Sequence, residues 1–150
     1  MPYRQDFTVF NSAGELTLVV EVKARRGASP AWAAQLRRNL LAHGFVAKAK
    51  YFLLALPDQF YLWKEAGAEA AEVLPSHQID AALLLGPYFE RAGVPLENAG
   101  RGALELAVAA WLDGLLHEGG LPLDLRQAYP WLADLSDDLR GGRVACEAVA

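Results

Sequence analysis

The apolar positions at the start of the chain fall into two short runs with the character of strands. Asp6-Phe7-Thr8-Val9-Phe10 and Leu16-Thr17-Leu18-Val19-Val20-Glu21-Val22 are rich in β-branched and aromatic residues, and Asn11-Ser12-Ala13-Gly14-Glu15 between them is a turn cluster. The pattern predicts a β-hairpin. Leu18-Val19-Val20 is apolar on both faces, as a strand central in its sheet would be. Ser29-Pro30 then predicts a helix start, with serine as N-cap and proline in the first turn. Trp32, Leu36 and Leu40 would form the buried stripe of that helix, and Gly44 its stop. Tyr51–Leu56 predicts a second apolar strand, Pro57-Asp58 a turn, and Phe60-Tyr61-Leu62-Trp63 an antiparallel return.

After Lys64 the pattern changes. Glu65–Glu72 predicts a surface connection. Asp80 is placed to cap a helix running to about Arg91, bent or interrupted at Gly86-Pro87. Leu104, Val108, Trp111, Leu112 and Leu115 mark the apolar face of a further helix. Leu121–Arg140, with two internal prolines, predicts a loop and a short helix, and Arg143–Val149 a terminal edge strand. The fold class expected is α/β: a small mixed sheet with one crossing helix over residues 1–64, and an acidic, mainly helical extension over 65–150 packed on the same domain.

Pairing arithmetic sharpens the picture at the hairpin. If the chain turns about Ala13 and Gly14, cross-strand partners have numbers summing to about 27, so Asp6 lies opposite Glu21. Lys23 follows Glu21 by two residues and shares its face. Two carboxylates and an ammonium therefore converge at one end of the hairpin. Opposed carboxylates repel each other unless a cation relieves them, and a hard divalent ion such as Mg²⁺ prefers oxygen ligands. A salt-bridge cluster on an exposed rim is the other reading of the same three residues.

Charge changes the picture again. The chain carries a net −4, yet residues 1–64 hold nine lysines and arginines against four acids, while the remainder holds five against fourteen. A basic half attracts phosphates whatever the total, because screening limits the reach of distant acids. Arg25, Arg26, Arg37 and Arg38 flank the three-residue cluster and are candidates for phosphate contact; two solvated faces of opposite sign are the alternative. The single cysteine, Cys146, excludes an intramolecular disulfide, and no Cys/His cluster has zinc spacing. His43, His77 and His117 have no partner nearby in sequence, and Gly141-Gly142 lacks the Lys-Ser/Thr of a phosphate loop. Absence of a leader pattern at Met1–Asp6 and of any long apolar run predicts a cytoplasmic protein without a membrane partner.

Asp6, a hairpin, and then Val19-Val20-Glu21-Val22-Lys23-Ala24 resemble the signature of the PD-(D/E)xK (restriction endonuclease-like) superfamily. A helix carrying Ala34-Gln35-Leu36-Arg37-Arg38 and the strand Tyr51–Leu56 follow in the same order. Over residues 3–64 the likeness is greatest to the nuclease domains of type I restriction motor subunits. Gln5 stands where the signature has proline, and Asn39 where exonuclease-type members have tyrosine. The resemblance implies Mg²⁺ or Mn²⁺ held by Asp6, Glu21 and the backbone carbonyl of Val22. It implies that Lys23 assists the attacking water, that Gln35 supports the site and that DNA is the substrate. It also implies a helix and a strand ahead of Asp6. In their place the acidic half, or a second copy in a homodimer, would cover that part of the sheet. A non-catalytic nucleic-acid-binding or scaffold protein on the same fold is the rival expectation.

Overall fold

The computed structural model describes residues 6–43, 49–65, 71–117 and 119–146. The hairpin forms as β1 (Phe7–Phe10) and β2 (Leu16–Val22). Asn11 shapes its turn, its Oδ1 accepting the N–H groups of Ala13 and Glu15, with Gly14 at φ +81°. Phe7 pairs with Val20, Thr8 with Val19 and Val9 with Leu18, so the expected register holds; a bulge after Val9 then pairs Phe10 with Leu16.

Helix α1 (Pro30–Ala42) follows, with the Ser29 hydroxyl accepting the Trp32 N–H at 3.1 Å. It returns the chain to β3 (Tyr51–Ala55), which runs parallel to β2. A parallel pair needs such a crossover, so α1 is what sets β3 beside β2. Of the expected stripe Leu40 is buried, but the rest of the inward face differs. Ala33, Arg37 and Leu40 are buried, while Trp32 and Leu36 are only partly so. The Gly44 stop lies outside the described residues.

β3 turns at Pro57-Asp58 into antiparallel β4 (Gln59–Lys64). Beyond it lies β5 (His77–Asp80), a strand the sequence pattern did not predict. Asp80 caps α2 (Ala81–Ala92) as expected, accepting the Ala82 N–H at 3.1 Å. The helix runs through Gly86-Pro87 instead of breaking there. Proline removes the donor for the carbonyl of Leu83, and Leu83 is exposed, so water can supply the missing bond. A 3₁₀ turn (Leu96–Asn98) leads to α3 (Arg101–Leu115), in which Leu104, Val108, Trp111, Leu112 and Leu115 are all buried. Leu121–Arg140 holds two helices, α4 (Leu123–Ala128) and α5 (Pro130–Leu139), not a loop and one helix. β6 (Arg143–Cys146) pairs antiparallel with β1 at the sheet edge.

The result is a mixed six-stranded sheet in the order β5-β4-β3-β2-β1-β6. One face carries Val19, Phe52, Leu54, Tyr61 and Trp63 against α1. The other carries Phe7, Val9, Leu18, Val20, Leu53 and Leu62 against α2, α3 and α5. The acidic half thus supplies both edge strands and the whole second layer. No helix among the described residues is long and apolar enough to cross a membrane.

β5 is tied to α5 by a stack of His77 on Trp131, 5.1 Å between ring centres and 5° from parallel. Burial, and then the charge of Lys64, hold the His77 pKa below its ordinary value. A lowered histidine pKa contributes stability above the unfolded value of ~6.5 and loses it as pH falls. Chemical denaturation should therefore show stability declining from about pH 7 towards 5, and His77→Phe, which retains a stacking ring, should flatten that part of the profile.

Candidate metal centre

Continuing the β1–β2 register places Asp6 opposite Glu21, on the sheet face that α1 covers. Both carboxylates are buried, with relative exposures of 6% for Asp6 and 1% for Glu21. Asp6 Oδ2 accepts the Val22 backbone N–H at 2.7 Å, which ties the start of β1 to the end of β2. Lys23 Nζ lies 3.2 Å from Glu21 Oε1, as the two-residue alternation predicts. The structure brings together Asp6, Glu21, Val22 and Lys23.

Two further residues join them from the opposite helical layer. Arg101, the first residue of α3, donates from Nη2 to Asp6 Oδ1 at 3.1 Å and from Nε to Glu105 Oε1 at 2.7 Å. The Glu105 bond chiefly, with the charges of Asp6 and Glu21 also acting, holds the Arg101 pKa above its ordinary value against burial. Nothing in the local sequence pointed to Arg101, which is 95 residues from Asp6.

The segment after Lys23 is anchored at several points. Gly27, at φ +71°, donates its N–H to Asp58 Oδ2 at 2.9 Å, and the Tyr61 hydroxyl donates to the Ala28 carbonyl at 2.6 Å. Arg26 reaches the Leu96 carbonyl at 2.6 Å, and the Arg25 guanidinium lies 4.6 Å from the centre of the Trp32 ring. Both arginines are exposed beside Lys23.

Other expected residues stand apart. Gln35 is on the exposed side of α1, because a helix that turns Ala33 and Arg37 inward turns residue 35 outward. Arg37 is 2% exposed under α1, with its guanidinium 5.9 Å from the Trp63 ring centre, so it cannot present itself to phosphates. Arg38 pairs with Glu72 at 2.8 Å on the surface.

The arrangement offers hard oxygen donors on adjacent strands, the donor type a Mg²⁺ or Mn²⁺ ion selects. Among the described residues no three His, Cys, Asp or Glu side chains form a metal-binding group. A cation here would be held by Asp6 and Glu21, completed by backbone oxygen and the several waters that Mg²⁺ retains. No family model, curated protein or solved structure matches the chain.

Mutual repulsion of Asp6 and Glu21 would make neutralising Asp6 stabilising, but the bonds Asp6 accepts reverse that sign. Asp6→Ala leaves the Val22 N–H and Arg101 without their acceptor. Thermal or chemical denaturation without metal should show a loss of about 1–3 kcal/mol, the range for hydrogen bonds to charged groups with allowance for Arg101 being half-exposed.

Proposed function

We propose that the chain is a metal-dependent phosphodiesterase acting on DNA, with a core like that of the PD-(D/E)xK nucleases. The observation that carries this reading is the meeting of Asp6, Glu21 and Lys23 at one hairpin end, followed directly by the α1 crossover to β3. Asp6 and Glu21 would hold a Mg²⁺ or Mn²⁺ ion, with the carbonyl of Val22 as a further oxygen. When bound, such a cation polarises the phosphate and lowers the pKa of an attacking water. Lys23, fixed against Glu21, orients that water and offsets the charge that builds on the phosphate. Arg25 and Arg26 present two exposed cations beside it for the neighbouring phosphates. β6 occupies the edge of β1, where the resemblance implies a preceding strand.

A second reading has its own support. Asp6 already has both oxygens engaged, and Lys23 and Arg101 offset the charges of Asp6 and Glu21 without any metal. A non-catalytic nucleic-acid-binding scaffold would have this balance.

Cleavage assays on linear, supercoiled and single-stranded DNA, and on RNA, separate the two readings. DNA should be cut only with Mg²⁺ or Mn²⁺, and Glu21→Ala or Lys23→Ala should lower the rate on the order of 10²-fold or more. Activity unchanged in Glu21→Ala would remove the site assignment. Binding at varied salt tests the basic surface: Arg25→Ala/Arg26→Ala should reduce the slope of log affinity against log salt by roughly 0.9 for each phosphate that is no longer neutralised. An unaltered slope would mean that these arginines contact no phosphate.

A further inference from the structure

We infer that Arg101 is the resident counter-cation of this site, engaging Asp6 in the metal-free protein and setting how tightly a divalent ion binds; the inference rests on the metal-centre reading above. Its placement is unusual on electrostatic grounds. Arg101 is the first residue of the fifteen-residue helix α3, where the helix dipole presents its positive end and disfavours a cation. What offsets that position is the pair of carboxylates it bridges, Asp6 at 3.1 Å and Glu105 at 2.7 Å. Glu105 lies one turn further along the same helix, so the Arg101–Glu105 pair survives if the bond to Asp6 is broken.

The Asp6 side is the weaker half of the bridge and the one in a cation's way. The arginine side chain is 51% exposed, so leaving Asp6 returns its guanidinium to water at small cost, whereas the Asp6 side chain is only 8% exposed and needs a positive neighbour. A divalent ion between Asp6 and Glu21 would place two positive charges beside the guanidinium. Like charges at that range repel, so metal and Arg101 compete for one carboxylate. Lys23 differs: it bonds Glu21, projects from the same strand face, and among the described residues pairs with no second acid.

Thermal melts of the whole chain across a Mn²⁺ series, at fixed ionic strength, read the competition through binding linkage. Arg101→Gln should lower the melting temperature without metal. It should also shift the Mn²⁺ midpoint to at least about threefold lower concentration, a conservative figure for a half-exposed ion pair. Arg101→Lys, which keeps the charge but lacks the planar fork whose separate nitrogens reach the two acids, should fall between, and it serves alone if Arg101→Gln does not fold. A clamp with no part in metal binding would lower every melt equally and leave the midpoint in place. That outcome, or weaker Mn²⁺ binding in Arg101→Gln, overturns the inference while a responding wild type preserves the metal centre. Wild type and both variants unmoved by millimolar Mn²⁺ would overturn both.

Discussion

The Asp6 carboxylate joins three parts of the chain. Through Oδ2 it closes the hairpin end on the Val22 N–H, and through Oδ1 it receives Arg101 from the far helical layer. A buried carboxylate is costly unless each oxygen has a donor, and these two donors come from residues 16 and 95 positions away. The register of β1 on β2 and the seating of α3 on the sheet are therefore linked at one side chain. If either slips, Asp6 loses a donor while remaining inside.

The hairpin was legible because its information is local. Turn residues at Asn11–Glu15 set the loop, and a period of two then assigns Asp6, Glu21 and Lys23 to one face. The helix stripe was less so. Trp32, Leu36 and Leu40 are the larger apolar side chains at helical spacing, yet α1 packs so closely on Phe52 and Trp63 that the small Ala33 and Ala34 face inward. That rotation carries Arg37 inside, away from the phosphate contact proposed for it, and turns Gln35, to which the resemblance gives a supporting role, outward. β5 escaped notice because its four residues include His77, Gln78 and Asp80, polar at an edge where one side of the strand meets solvent. Arg101 was not legible at all: its meaning depends on tertiary placement, and one of five arginines in an acidic half reads as a surface charge.

The split of charge between the halves also takes on a different sense in three dimensions. The acidic half does not form a separate unit but wraps the basic one, supplying both edge strands and the second helical layer. Two of its acids pair with the basic half at a distance from the candidate site. Asp138 of α5 accepts from the Tyr51 hydroxyl at 2.6 Å and from Lys50 at 2.9 Å, at the end of β3 remote from the candidate site. Arg38 is matched by Glu72. Among the described residues, such pairing leaves Lys23, Arg25 and Arg26 as the cations of the basic half gathered around the candidate site, a narrower positive surface than composition implied.

That narrowing bears on how the site is built. Lys23 leaves the end of β2 with its own N–H bonded to the Ala55 carbonyl of β3, and the next five residues are anchored at Gly27, Ala28 and Arg26. The anchors come from β4, from the β3–β4 turn and from the turn before α3, elements on both sides of the sheet. A segment so held loses little freedom when it meets a ligand, and pre-organised charges act more strongly on a developing anion than ones that must first reorient. Asp58 is central to this, since its carboxylate fixes the glycine whose positive φ turns the chain towards α1. The residues of the candidate site lie close together in sequence, but their rigidity is supplied by bonds from distant parts of the chain. It follows that the second half is structurally part of the site even where it contributes no ligand.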